Sequence, residues 1–201
     1  MRYEVRKIAA EARRIGGRAS CFSVDLASES ELLDVIGKLT TDAVDILVHS
    51  AAIIERAGVD SAPPESLDRH YRVNVRAPYV LTRALLPMLR SRKGDIVFIN
   101  SSLGIAAKPL FVSYGSTKHA LKGMADSLRD EINADGVRVL SIYLGRTAGD
   151  MQAKLHAEEG KPYRPDLLLQ PEDVASVVLG VLRLPRTAEV TDINIRPAIK
   201  S

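Results

Sequence analysis

Tyr114 and Lys118 stand four positions apart in a stretch whose apolar residues recur at helical spacing, so both side chains share one helix face. A phenol titrates near about 10, and acid or base work near neutrality needs a drop of about 3 units, roughly 4 kcal/mol in favour of the phenolate. An ammonium one turn along supplies part of that. Ser101 and Ser102 close an apolar strand-like run, and a serine hydroxyl there can hold a substrate oxygen beside the phenol. Asn74, between Val73 and Val75, lies midway along a long helical stretch. Together these groups suit the interconversion of a carbonyl and an alcohol. Taken singly, each is ordinary: a half-buried aromatic at a helix start, a serine turn, a solvated asparagine.

The chemistry requires elements that bring these residues to one edge, and the chain alternates strand-like with helix-like segments throughout. That is the pattern of a parallel sheet with helices on both faces. Helices are expected over 3–15, stopped by Gly16-Gly17, and over 28–39, with Ser28 and Glu31 spaced as a capping box. A helical stretch over 64–90 is interrupted near Pro78, and further helices run over 114–133 and 171–182. Strands are expected at 19–24, 44–48, 95–100, 137–143 and 189–195. The quartet Ile96-Val97-Phe98-Ile99 does not alternate, so its strand is buried on both faces. In a parallel sheet every loop leaving a strand opens on one edge, which is where such folds bind ligands.

Composition narrows the class. The 201 residues, 46% hydrophobic and 26% charged, suffice for one domain with its own core. The 28 basic and 25 acidic side chains are interspersed, so no nucleic-acid partner is implied. Cys21, the single cysteine, lies in an apolar run and reads as a packed thiol in a reducing compartment. The longest apolar segment, 174–184, is too short to span a bilayer, and the N-terminus lacks a signal-peptide core, so the expectation is a cytoplasmic protein with no membrane partner. His49, His70, His119 and His156 show no nucleophile or metal-ligand spacing. A serine hydrolase is therefore a poor reading of Ser101, and no metal is expected.

Order and spacing add more than the single residues do. The set Val73-Asn74-Val75, Ile99-Asn100-Ser101-Ser102-Leu103-Gly104 and Ser113-Tyr114-Gly115-Ser116-Thr117-Lys118 resembles the short-chain dehydrogenase/reductase family. The resemblance selects Ser101 over Ser102, because the family's serine lies about thirteen residues before its tyrosine. It implies a Rossmann-like doubly wound α/β fold using NAD or NADP and a small carbonyl or alcohol substrate. By the same resemblance Asn74 supports a water in a proton relay, Ser101 orients substrate, Tyr114 is the acid/base, and Lys118 holds the ribose and depresses the tyrosine pKa. A positively charged nicotinamide ring acts in the same direction. Asp25-Leu26 stands where the family contacts adenine, with a helix cap as the local alternative. His49-Ser50-Ala51-Ala52 replaces the usual Asn-Asn-Ala-Gly, leaving Ser50 and Ala51 as cofactor contacts. Gly145 and Thr147 fall in the nicotinamide-side loop. Family assemblies built on the two long helices imply a homodimer or homotetramer.

The family's opening strand and Gly-x-x-x-Gly-x-Gly turn have no counterpart in these residues, so the expectation is an N-terminally truncated domain spanning 1–201. In the order 3-2-1-4-5-6-7 the 19–24 strand then lacks a neighbour and the 44–48 strand exposes an edge. A degenerate, non-catalytic relative is the competing reading. Residues 145–170 read as a loop-rich lid over a partly apolar pocket, with Met151, Leu155, Tyr163 and Leu167 as its apolar members.

Overall fold

The computed structural model describes residues 9–199. Residues 9–14 are helical (α1) and end at Gly16, whose φ of +88° is the left-handed geometry that glycine reaches at little cost. Helix α2 (Glu29–Gly37) starts at Ser28, whose side chain accepts from the Glu31 N–H. The Glu31 carboxylate accepts from the Asp25 N–H and does not turn back to Ser28, so half of the expected capping box forms. There follow β1 (Ile46–His49), α3 (Pro64–Tyr71), a π-helical turn (Arg72–Arg76), α4 (Ala77–Arg92), β2 (Asp95–Ser101) and α5 (Val112–Ile132). The chain closes with β3 (Arg138–Leu144), α6 (Asp150–Glu158), α7 (Pro171–Leu182) and β4 (Asp192–Ile195).

The four strands lie in the order β1-β2-β3-β4, all parallel. Side chains alternate across the sheet, so β2 sends Ile96 and Phe98 toward α4 and α5, where they meet Leu85, Leu89, Leu121 and Ala125. Val97, with Leu140 and Ile142 of β3, packs on the opposite face against Val178, Val181 and Leu182 of α7. Both faces are thus covered, as the unbroken apolar quartet requires. At the end of the sheet remote from the strand exits, Asp95 accepts from Arg138 Nε (2.7 Å) and pairs with Arg186 (3.1 Å). Arg138 also donates to the carbonyls of Leu182 and Leu184, tying the end of α7 to β3.

Two expectations fail together. Residues 19–24 form no strand, because an extended segment needs a ladder neighbour. Cys21 is consequently exposed and not packed in a core. The outer edge of β1 carries no strand among the described residues, and Ile46 and Val48 remain 48% and 47% exposed. Gly136 closes the turn after α5 at φ +78°, in the place where its glycine character puts it.

His49 ends β1 inside the protein. Its Nε2 lies 2.8 Å from Thr82 Oγ1 and its ring stacks on Phe98 at 4.9 Å. Burial lowers its pKa to about 4. Because the folded pKa is below the unfolded one, the folded state resists protonation between pH 6.5 and about 4 and loses stability as the pH falls through that window. Denaturant unfolding of the parent and of His49→Gln should show a stability difference that shifts by about 3 kcal/mol against the parent between pH 6.5 and 4; a pH-independent difference would contradict a neutral buried imidazole.

Candidate active site

The carboxyl ends of β1, β2 and β3 open into a cavity of about 390 Å³, on the edge where a parallel sheet places its ligands. Ser101 is the last residue of β2. Its Oγ accepts from the Leu103 N–H (3.1 Å), which starts the short turn Ser102–Gly104, and its side chain lies near enough to the Tyr114 hydroxyl to favour the phenolate. Tyr114 and Lys118 sit in the first turns of α5, 7% and 2% exposed. Lys118 Nζ lies 5.7 Å from the centroid of the Tyr114 ring and donates to the Ile99 carbonyl (3.1 Å). Three of the four expected catalytic side chains, Ser101, Tyr114 and Lys118, therefore line one cavity.

Burial governs the charges. It lowers the Lys118 pKa to about 8, with no acidic group nearby to offset it. Burial also holds Tyr114 above its ordinary value, and the Ser101 side chain offsets this only in part. In the chain alone burial therefore dominates the phenol, whose pKa stays above its ordinary value.

Asn74 lies in the π-helical turn, 1% exposed. Pro78 has no N–H for the Asn74 carbonyl four residues back, so a regular α-helical ladder cannot pass this point, and the Ala77 N–H bonds Arg72 five residues back. The Asn74 side chain accepts from the Ile53 N–H (2.9 Å) and donates to the Ile53 carbonyl (3.0 Å) and Thr117 Oγ1 (3.1 Å). Thr117 in turn donates to the Tyr114 carbonyl (2.7 Å). Asn74 does not line the cavity; it fixes the loop after β1, which does, and the turn of α5 that carries Tyr114.

Of the expected cofactor contacts, Ser50, Gly145 and Thr147 line the cavity, whereas Ala51, Asp25 and Leu26 do not. Asp25 closes a local turn before the helix, accepting from the Ala27 N–H (3.0 Å), while Ser28 and not Asp25 caps α2. Gly145 admits the chain leaving β4, since a Cβ there would meet Pro197 Cδ at 2.9 Å. Lys118 uses one of its three N–H groups on Ile99, and with the Tyr114 and Ser50 hydroxyls it forms a donor set that fits ribose and carboxamide oxygens.

Several participants were not legible in the sequence. Asn100, 3% exposed, donates to the Lys118 carbonyl (3.2 Å) and accepts from the Ser101 N–H (2.7 Å). Gly104 is required beside it, since a Cβ would lie 2.7 Å from Asn100 Oδ1. Leu110, at φ +68°, turns its carbonyl to the Ala57 N–H (2.9 Å) and joins the two loops that flank the cavity. The segment 145–170 contains α6 and contributes Met151 and Leu155 to the wall, while Tyr163 and Leu167 stay outside it. Arg146 makes a two-pronged pair with Glu159 (2.6 and 2.8 Å). Burial would raise the Glu159 carboxyl, but Arg146 and Lys161 more than offset this and hold it low.

Comparison with known proteins agrees with this fold. Residues 2–160 match the family model for short chain dehydrogenases. A short-chain type dehydrogenase/reductase of Sinorhizobium fredii is 30% identical over 84% of this chain and 70% of its own length. An NADPH-dependent 3-dehydrocapnine reductase of Ornithobacterium rhinotracheale is 33% identical over 71% of this chain and half of its own. Among solved structures, a metagenomic short-chain oxidoreductase in complex with NADP superposes with a TM-score of 0.81 at 23% identity, covering 98% of this chain and 82% of its own.

Asn74→Ala removes three hydrogen bonds at a buried position, so a loss of about 2–4 kcal/mol is expected in denaturant unfolding. Hydrogen exchange at the Ile53 amide should accelerate beyond the global change. Unchanged protection there would show that Asn74 does not hold the loop.

Proposed function

The chain belongs to the short-chain dehydrogenase family, whose members are NAD(P)-dependent oxidoreductases, and from that premise we propose that it interconverts a carbonyl and an alcohol with Tyr114 as acid and base. The observation that carries the proposal is the meeting of Tyr114, Ser101 and Lys118 in the one cavity at the strand exits. NADP or NAD supplies or accepts the hydride when bound. Lys118, Tyr114, Ser50, Gly145 and Thr147 are the residues that would hold its nicotinamide end. Ser101 fixes the substrate oxygen within reach of the phenol. In reduction the phenol O–H breaks and its proton passes to that oxygen; in oxidation the phenolate takes the proton back. Asn74 supports the relay by positioning Thr117 and the turn of α5. Asp25, Leu26 and Ala51 remain candidates for the distal part of the cofactor. The 145–170 segment acts as the lid.

Among the described residues no helix is long and apolar enough to cross a membrane. The proposal includes a cytoplasmic location and a homodimer or homotetramer built on the outer faces of α4 and α5. The exposed Tyr79 of α4 and Val112 of α5 are apolar surface that such a contact would cover.

Titrating NADPH and NADH while following cofactor fluorescence tests binding, and oxidation of the bound cofactor by a carbonyl panel tests turnover. Tyr114→Phe should cut reduction by about a thousandfold while cofactor affinity stays nearly constant, and Lys118→Ala should damage both. Equal reduction by Tyr114→Phe and the parent would reject the mechanism.

The direction of the Tyr114 shift sets a pH dependence. A phenol held above its ordinary value stays protonated at neutral pH and can donate. Reduction should therefore be flat through neutrality, while kcat/KM for alcohol oxidation climbs with pH into the alkaline range. Oxidation that falls as pH rises from 7 to 10 would contradict this.

A further inference from the structure

The proton relay employs Ser101, Tyr114 and Lys118, yet the cavity wall also carries positive charge for which that chemistry has no use. Lys108, on the loop between β2 and α5, lines the cavity and has no acidic partner among the described residues. Arg146 and Lys161 line it as well, and both converge on one carboxylate, Glu159, with Lys161 Nζ 3.4 Å from Oε2. Glu159 is the sole acidic residue in the wall. Leaving Lys118 aside, three cations therefore face one anion, and two positive charges stay uncompensated. The chain as a whole is nearly balanced, at +3 over 201 residues, so this concentration is local.

Two further features shape this part of the wall. The Glu159 side chain is 10% exposed and that of Arg146 27%, so their ion pair is shielded, while the Lys161 side chain stands 61% exposed at the rim, accessible to an incoming anion. Gln152 of α6 lines the same cavity and its side-chain amide makes no hydrogen bond among the described residues, so its Nε2 N–H groups are free to donate to a ligand oxygen. Other parts of the wall are apolar, through Ile54, Leu103, Phe111, Met151 and Leu155.

We propose that the substrate carries a carboxylate: the site takes oxo acids, and the matching hydroxy acids, whose carbonyl carbon meets Ser101 and Tyr114 through an apolar spacer while the carboxylate meets Lys108, Lys161 and the Gln152 amide. Arg146, committed to Glu159, sets the positive side of this end. The inference rests on the oxidoreductase reading above for the identity of the reacting group. The carboxylate end stands on the charge and on the free N–H groups of the Gln152 amide.

The test uses straight-chain oxo acids from 4-oxopentanoate to 7-oxooctanoate, each beside its methyl ester. Binding is read by calorimetry and turnover by NADPH oxidation. At least one acid should exceed its ester by about tenfold in affinity or in kcat/KM, and the preference should shrink as salt rises. Lys108 and Lys161 are exposed, so Lys108→Gln, Lys161→Gln and their combination should fold, and the acid-to-ester ratio should fall stepwise toward one. An acid preference in binding without turnover supports the carboxylate end and removes the reaction assigned to the site. Turnover of esters equal to or faster than that of every acid leaves the reaction standing and overturns the carboxylate end. A preference that survives both lysine changes, or a change confined to the KM for NADPH, also overturns it.

Discussion

The site depends on a reciprocal clasp between the end of β2 and the first turns of α5. Lys118 donates from its side chain to the Ile99 carbonyl, and Asn100 donates from its side chain to the Lys118 carbonyl. Each residue satisfies the backbone of the other element, so the helix cannot slide or rotate on the strand without orphaning two buried groups. That registration brings Tyr114, one turn before Lys118, against Ser101 at the end of the strand. Gly104 is part of the same constraint, because the Lys118 carbonyl and the Asn100 amide occupy the space a side chain would need.

A second layer of hydrogen bonds carries the registration outward. Asn74 takes both backbone groups of Ile53 and reaches Thr117, which binds the Tyr114 carbonyl. The loop after β1, the π-helical turn and α5 are thereby tied together. The hydrophobic contacts between β2 and the two long helices supply the bulk of the stabilisation, but they are non-directional. Registration to a fraction of an ångström comes from the polar contacts, which tolerate no displacement. This division accounts for polar residues such as Asn74, Asn100, Thr117 and Lys118 lying at 3% exposure or less in an otherwise apolar interior.

The electrostatics follow from the same enclosure. Burying an ammonium and a phenol side by side destabilises whichever form is charged, so Lys118 drifts down and Tyr114 drifts up. The chain on its own thus holds a proton-donating phenol beside a lysine that is only partly ionised at mildly alkaline pH. Across the cavity the arrangement is opposite: Glu159 is kept ionised by two cations, and the wall there is fixed in charge. One end of the cavity thus favours the neutral forms of its ionisable groups and the other holds charge.

Much of this was readable from the residues in order. The spacing of Tyr114 and Lys118, the unbroken apolar run of β2, the glycine stop at Gly136 and the interruption at Pro78 are each set by neighbours within a few positions. Periodicity, backbone preference and a missing N–H are local properties. The open edge of β1 also followed from counting strands, whereas the strand expected at 19–24 does not form and Cys21 is exposed. What tertiary structure alone decided are the quantities that depend on distant chain. These are the upward shift of Tyr114, which comes from packing around it, and the pairing of Asn74 with Ile53 and Thr117. They also include the meeting of Arg146, Glu159 and Lys161 beside Lys108. Burial and long-range contact are sums over the whole fold, and no window of sequence contains them.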